Sequence, residues 1–138
     1  MADDHPVFQQ GVETLLGLED DMEIVARVND GAKVASLLQE HSPDILLLDL
    51  RMPGMGGLDT LKTIQSEEHP TRVIILTASE DQEEYVQAIT DGASGVVPKQ
   101  EATYTLPECI RSVYAGEIWL GDGALPLPVE EPSEPLFS

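Results

Sequence analysis

Residues 43–58 read PDILLLDLRMPGMGGL, and no other stretch of the sequence says as much about the fold. It contains a run of four aliphatic residues, 45–48, in which no polar residue alternates with the apolar ones. Such a run is typical of a strand that is covered on both faces, as strands are in a parallel sheet. Asp49 follows the run directly, and the proline and glycines after it predict a loop. The stretch therefore predicts a buried strand that ends in a carboxylate.

Further strands are predicted on either side of this stretch. Residues 73–76 form a second aliphatic run and residues 95–97 form a weaker one. Residues 22–28 (MEIVARV) also predict a strand. Apolar residues at helical spacing separate these runs. The predicted helices are 6–18, 32–40, 57–66, 82–91 and 105–114. Because strands that alternate with helices imply right-handed crossovers, the sequence predicts an α/β fold around a parallel sheet.

Polar side chains stand where the predicted strands end. Asp49 and Thr77 come directly after aliphatic runs, and Lys99 comes two residues after the third run. Asp3 and Asp4 precede the first predicted helix. Ligand sites of open α/β sheets lie beyond the carboxyl ends of the strands. We therefore expect these five residues to face one edge of the sheet.

The charge balance is strongly acidic. Seven Lys+Arg against 26 Asp+Glu give a formal net charge of −19. Phosphate backbones and anionic membrane surfaces are bound by clustered cations, so we expect this chain to bind neither nucleic acid nor membrane. The single cysteine, Cys109, excludes an internal disulfide and favours a cytoplasmic location.

The end of the chain differs in composition from the rest. Residues 122–138 are rich in proline and glutamate, contain no lysine or arginine, and show neither helical nor strand periodicity. We therefore predict one domain over residues 1–121 and an acidic, proline-rich flexible tail over residues 122–138.

Four segments carry a family resemblance: 2–12 (ADDHPVFQQGV), 43–58, 73–79 (VIILTAS) and 92–99 (GASGVVPK). They resemble the receiver domain of bacterial two-component response regulators, in particular the subfamily with a C-terminal helix-turn-helix. The resemblance implies a flavodoxin-like, doubly wound parallel sheet with strand order 2-1-3-4-5. It also implies a phosphorelay protein that a sensor histidine kinase phosphorylates and that signals through a phosphorylation-biased conformational change. Such a domain is not a turnover enzyme in the usual sense.

The resemblance also implies a role for each residue at the predicted edge. Asp49 would accept the phosphoryl group, while Thr77 and Lys99 would contact its oxygens. A magnesium ion would be bound beside Asp49, since adjacent carboxylates repel each other by about 4 kcal/mol at 4 Å and a divalent cation offsets that cost. The implied metal ligands are Asp3, Asp4, Asp49 and the backbone carbonyl of Arg51.

The sequence departs from the family pattern most clearly at its start. The family begins with an apolar strand before its acid pair, whereas only Met1 and Ala2 precede Asp3. That strand is central in the sheet, so its absence would leave backbone groups unpaired at about 1–3 kcal/mol each. Three alternatives stay open: the reading frame starts too late, the two flanking strands pair directly, or another segment fills the space. The tail segment 124–129 is a poor candidate, because its prolines cannot donate ladder bonds.

Three smaller departures affect the output of the domain. Val96 stands where the family usually has an aromatic residue, which removes the aromatic rotamer switch. Pro98 lies at the end of a predicted strand, which fits only an edge strand. The residues after Leu120 are too few for the helix-turn-helix domain of the subfamily.

Two other functions compete with the phosphoacceptor. The departures favour a phosphorylation-independent interaction module or a truncated response-regulator fragment, which would form a homodimer or a heterodimer with another receiver. A magnesium-dependent phosphohydrolase is disfavoured, because those enzymes typically need a second acid two residues after the nucleophile and Arg51 occupies that position.

Overall fold

The computed structural model describes most of the chain up to residue 125. The described residues are 2, 6–26, 28, 31–49, 57–67, 70–78, 81–120 and 123–125. The helices are α1 (Pro6–Gly17), α2 (Val34–His41), α3 (Gly57–Ser66), α4 (Gln82–Thr90) and α5 (Ala102–Tyr114). The strands are β1 (Ile45–Asp49), β2 (Arg72–Thr77), β3 (Gly95–Pro98), β4 (Ile118–Leu120) and β5 (Gly123–Leu125). No helix within these ranges has the length and apolar character that crossing a membrane requires.

The strands form one sheet in the order β1-β2-β3-β4-β5. β1 to β4 run parallel, and β5 pairs antiparallel with β4. One helix separates each pair of successive parallel strands along the chain. This architecture confirms the α/β fold with a parallel sheet. In the register, Asp49 lies opposite Leu76 and Thr77 lies opposite Pro98, so the polar strand ends meet at one edge.

Ala2 occupies the position of the central strand that the resemblance implies. It forms isolated parallel bridges with both Val28 and Leu48. Its amide donates to the carbonyl of Leu47 at 2.7 Å, and its carbonyl accepts from the amide of Asp49 at 2.8 Å. Ala2 therefore separates the two flanking segments, and the alternative in which they pair directly is wrong at this position.

The strand predicted at 22–28 is wrong as a regular element. Residues 22–26 have no regular secondary structure, and Val28 takes part only in its isolated bridge with Ala2. The side chains still alternate, since Met22 and Ile24 are half-buried and Glu23 is exposed. The sequence pattern therefore has the period of a strand, but residues 22–26 are not part of a regular strand.

The core consists of two apolar clusters, one on each face of the sheet. β1 contributes Leu46 and Leu48 to the cluster beneath α2 and α3, and Leu47 to the cluster beneath α1 and α5. The second cluster includes the fully buried Trp119. The uninterrupted aliphatic run of the sequence thus follows from the burial of both faces of β1.

The carboxyl-terminal part of the sheet was missed by the sequence reasoning. β4 was not predicted, and residues 123–125 form β5 within the segment that we expected to lack strands. β3 is flanked by β2 and β4, so it is not an edge strand. Its Pro98 is tolerated because β4 pairs only with Gly95 and Val96, so no partner strand reaches the proline on that side. The rest of the predicted tail lies outside the described residues.

The last helix begins earlier than predicted. α5 starts at Ala102 rather than at Thr105. The Thr105 hydroxyl donates to the carbonyl of Glu101 at 3.0 Å, so it bonds back along the chain instead of capping a helix start.

Gly92, which follows α4, has a positive φ that disfavours a side chain. Its φ is +113°, and an added Cβ would lie 2.6 Å from the Gln65 side chain. Gly92→Ala should therefore lower the free energy of unfolding by about 1–3 kcal/mol in urea titrations. Gly11→Ala is the matched control, because nothing lies within 4 Å of its added Cβ and it sits inside α1, where alanine is favoured by about 1 kcal/mol. Equal effects of the two changes would contradict this steric argument.

Cys109 is expected to be chemically inert while the domain is folded. The residue is fully buried on α5, and burial raises the pKa of its thiol from 9.0 to about 12. At pH 8 the thiolate fraction is thus roughly a thousandfold lower than in the unfolded chain, so reaction with a disulfide reagent should be slower by about that factor. Because the unfolded thiol loses its proton first, this group lowers stability as pH rises from 9 towards 12. Equal reaction rates in buffer and in urea would contradict this assignment.

Candidate functional site

Asp49 and Lys99 form a nearly buried ion pair at the carboxyl edge of the sheet. The Lys99 ammonium nitrogen lies 2.9 Å from Oδ2 of Asp49, to which it donates a hydrogen bond. The side chain of Asp49 is 4% exposed and that of Lys99 is 14% exposed. A carboxylate removed from water to this extent needs a compensating charge, which Lys99 supplies. The pair thus holds the Asp49 carboxylate at a fixed position.

Thr77 lies on the strand between the two members of this pair. It is the last residue of β2, it is buried, and β2 lies between β1 and β3. Lys99 directly follows β3, so its side chain reaches past the end of β2 to meet Asp49 at the end of β1. The structure therefore brings these three predicted residues to one edge of the sheet, as strand order and parallel direction require.

Phe8 is a site residue that the sequence reasoning placed only in the helical stripe of α1. The Lys99 ammonium nitrogen lies 4.9 Å from the centre of the Phe8 ring. The electron-rich face of an aromatic ring attracts a cation at this distance, which helps to position the lysine.

The remaining predicted metal ligands, Asp3, Asp4 and Arg51, lie outside the described residues. Ala2, which precedes Asp3 in the chain, bonds through its carbonyl to the Asp49 amide. Within the described ranges, no three His, Cys, Asp or Glu side chains lie close enough together to hold a metal ion. Of the predicted carboxylate ligands, the described part of the chain therefore contains Asp49 alone.

A second charged cluster lies away from this edge. Arg111 on α5 donates to Asp21 at 3.0 and 2.8 Å and also bonds to Glu19. The hydrogen bond from Arg111 lowers the pKa of Asp21, and the two carboxylates raise the pKa of Arg111. This cluster ties the segment after α1 to α5.

The fold and the site together define a class of protein. A parallel α/β sheet whose edge holds an aspartate, a threonine and a lysine from three neighbouring strands is the arrangement of a response-regulator receiver. The model of the response regulator receiver domain family matches residues 1–111, and the chain belongs to this family.

Relatives of known name agree with this assignment. The chain is 37% identical over 134 residues to the nitrate/nitrite response regulator protein homolog of Haemophilus influenzae, covering 97% of this chain and 64% of that protein. It is 37% identical over 113 residues to the probable transcriptional regulatory protein NarL of Mycobacterium tuberculosis, covering 82% of this chain and 51% of that protein. The chain thus spans between half and two thirds of the length of these relatives.

Solved structures give the same result. The signal receiver domain of the putative response regulator NarL from Mycobacterium tuberculosis superposes with a TM-score of 0.79 at 35% identity, over 83% of this chain and 93% of that one. A DNA-binding response regulator of the LuxR family from Staphylococcus aureus gives 0.76 at 30% identity, over 82% and 94% of the two chains. The predicted resemblance to a receiver of this subfamily is therefore confirmed.

Proposed function

We propose that this domain is a phosphoacceptor of a two-component phosphorelay and that Asp49 receives the phosphoryl group from a sensor histidine kinase. The observation that carries the proposal is the buried pair of Asp49 and Lys99, 2.9 Å apart, at the edge where Thr77 also lies. A surface aspartate at a strand end would need neither the burial nor the lysine. Family membership and the names of the relatives support the same role.

The transfer step is a displacement at phosphorus. A carboxylate oxygen of Asp49 attacks the phosphoryl group of a phosphohistidine, a P–O bond forms, and the P–N bond breaks. The imidazole leaves with the electron pair of that bond and takes up a proton from solution. The Asp49 side chain becomes an acyl phosphate, and Lys99 is within reach of the added oxygens. Catalysis of this kind rests on positioning and charge neutralisation, so few side chains suffice.

We propose a magnesium site here, at which Asp49 together with Asp3, Asp4 and the backbone carbonyl of Arg51 would hold the ion. The donor set fits the ion, because magnesium prefers carboxylate and carbonyl oxygens and keeps several waters. The Ala2–Asp49 hydrogen bond supports the grouping, since Asp3 is the next residue in the chain. When bound, the ion neutralises charge on the phosphoryl oxygens. Positioning of the attacking carboxylate is the task of Lys99.

Thr77 is proposed to couple phosphorylation to a conformational change. Its hydroxyl would donate to a phosphoryl oxygen, which draws the end of β2 toward Asp49 and shifts the population of two states. Val96 of β3 is buried in the core and is aliphatic, so no aromatic side chain at this position can switch rotamers. We therefore place the whole response at Thr77 and Lys99.

The coupling role of Thr77 gives a prediction. Thr77→Ala should accept phosphate at a rate within about threefold of the native chain, yet lose the change in amide hydrogen exchange that beryllofluoride induces near β2. Thr77→Ser is the matched control, because it keeps the hydroxyl and should keep the response. If Thr77→Ala showed the same exchange response as the native chain, the Thr77 hydroxyl would not couple phosphorylation to the conformational change.

An interaction module that works without phosphate is the second candidate. It is favoured by large apolar side chains exposed on the last two helices: Val86 is 55% exposed on α4, and Tyr104 is 83% exposed on α5. These exposed side chains would contact a second receiver, of the same or another kind. In either case we propose a cytoplasmic domain over residues 1–121 that has no contact with nucleic acid. Of the proposed tail, residues 122–138, the segment 123–125 adds β5 to the sheet of this domain.

Light scattering after size exclusion separates the two candidates. The phosphoacceptor should change its mass or elution volume when beryllofluoride and magnesium are added, because the mimic shifts its population toward the active state. The interaction module should pair to the same extent with and without the mimic. Asp49→Asn is the control for binding of beryllofluoride at this site.

A further inference from the structure

The apolar stripe of α1 extends from the core to the candidate site. Val12 and Leu16 are buried in the cluster beneath α1 and α5, and Phe8 lies at helical spacing before them. Phe8 is half-buried and packs against the same cluster. Its ring also meets the Lys99 ammonium nitrogen, which lies over the ring, 4.9 Å from its centre. One side chain therefore contacts both the core and the cation of the site.

The Lys99 ammonium group is attracted by two partners of different kinds. Oδ2 of Asp49 lies 2.9 Å away and attracts it through a full negative charge. The Phe8 ring attracts it through its quadrupole, because the face of an aromatic ring is negative. Such an attraction is strongest where the cation has lost water, and the side chain of Lys99 is only 14% exposed. The ring therefore contributes to the position of the ammonium group at the site.

Phosphoryl transfer requires a support for Lys99 that does not change during the reaction. The ammonium group sits on a flexible stem of four carbons, so a single contact orients it poorly. Its contact with Asp49 changes when that carboxylate becomes an acyl phosphate, since one oxygen is then bonded to phosphorus. The Phe8 ring takes no part in this chemistry, so its attraction for the cation is the same before and after the transfer.

The attraction depends on the ring and not on the apolar volume of the side chain. A leucine at residue 8 would still pack against the cluster beneath α1 and α5, but it has no negative face to hold a cation. A tyrosine would keep an electron-rich ring. The two substitutions therefore separate a role in the core from a role at the site.

We propose that Phe8 is a positioning residue for phosphoryl transfer, and that the negative face of its ring holds the Lys99 ammonium group beside Asp49. The inference rests on the proposed phosphoacceptor function and deepens it. The Phe8 side chain has no group that donates a proton or binds phosphate, so it acts through Lys99. The rate of transfer should consequently depend on the electron density of the ring at residue 8.

Fluorinated phenylalanines change this electron density while nearly keeping the shape of the ring. Each fluorine withdraws electrons from the ring face and weakens its attraction for a cation. The chain contains two phenylalanines, Phe8 and Phe137, so Phe137→Leu leaves Phe8 as the only one. The full chain with Phe137→Leu, produced in medium that supplies mono-, di- or trifluorinated phenylalanine, therefore carries the change at residue 8 alone.

The rate of phosphorylation by acetyl phosphate and magnesium should fall with each added fluorine. We expect a loss of about fivefold for the trifluorinated ring and a similar loss for Phe8→Leu, whereas Phe8→Tyr should restore most of the rate. The rates are compared well below the unfolding midpoint of each chain, which is measured separately. A role in packing alone predicts no such series, because fluorine adds apolar surface.

The same fluorinated series in a Lys99→Ala background is the matched control. If the ring acts through Lys99, its fluorination should have no further effect once the lysine is absent. The double-variant cycle thus isolates the coupling between the two side chains from any general effect of fluorine on the domain.

Proton resonances report the geometry without a phosphodonor. The ring current of Phe8 should move the Lys99 methylene resonances next to the ammonium group upfield of those of Lys62, which is exposed on α3. Phe8→Leu should remove this difference and leave the Lys62 resonances unchanged.

Three outcomes would overturn the inference. They are a rate that does not change with fluorination, a series that slows Lys99→Ala as much as the native chain, and Lys99 resonances that Phe8→Leu leaves in place. Failure of the native chain to accept any phosphoryl group would be a failure of the proposed function. A native chain that accepts phosphate with a flat fluorination series would be a failure of this inference alone.

Discussion

Asp49→Asn is expected to abolish phosphoryl transfer to the chain. The amide has almost the volume of the carboxylate and can still accept a hydrogen bond from Lys99, but it has no anionic oxygen to attack phosphorus. The variant should therefore fold, and should gain no mass when incubated with magnesium and acetyl phosphate or a cognate kinase. Intact-mass spectrometry of native and variant chains, treated side by side, measures the difference.

Asp59→Asn is the matched control for this change. Asp59 is an exposed aspartate in the first turn of α3, so its neutralisation should leave transfer at the native rate. If Asp49→Asn still gained a phosphoryl group at that rate, another residue would be the acceptor and the proposed function would fail.

Lys99→Ala is expected to have the second-largest effect, on stability and on transfer together. It deprives a carboxylate that is only 4% exposed of its cation. Loss of one partner from such a pair costs about 3 kcal/mol, which corresponds to a fall of roughly 10 °C in the unfolding midpoint. Phosphoryl transfer should slow about a hundredfold, because the developing charge loses a fixed cation.

Magnesium should partly restore the stability of Lys99→Ala. A divalent cation bound to Asp49 would replace the missing charge, so millimolar magnesium should raise the midpoint of the variant more than that of the native chain. Lys62→Ala is the control, because Lys62 is exposed on α3 and should change neither property. A Lys99→Ala variant as stable as the native chain without magnesium would contradict the role given to the ion pair.

The fold could be predicted from the sequence where burial alone determines the structure. Residues 45–48 and 73–76 are aliphatic because both faces of their strands are covered, and few structures besides a buried parallel strand produce that pattern. α3 was predicted with the bounds that the structure shows. β4 and β5 were missed because they have three residues each, which is too short for periodicity to identify them.

The strand predicted at residues 22–28 was wrong because strand formation depends on pairing with a neighbouring strand. Residues 22–28 have the alternation of a strand, but a strand also needs a neighbour along its length, and Ala2 supplies one only at Val28. The site was predictable because chain order places Asp49, Thr77 and Lys99 at strand ends. The contact of Lys99 with Phe8 could not be predicted from the sequence. Phe8 lies on α1, far from Lys99 in the chain, and the apolar pattern of a helix does not show which of its residues lies beside a cation.

Intact-mass spectrometry combined with peptide mapping shows whether Asp49 is the residue that carries the phosphoryl group. The native chain is treated with acetyl phosphate and magnesium, or with acetyl phosphate and a chelator, and the acyl phosphate is then reduced with borohydride and located. We predict one phosphoryl group per chain, on Asp49, that is absent when magnesium is chelated. An unmodified chain at saturating phosphodonor, or a phosphoryl group on any other residue, would contradict the account.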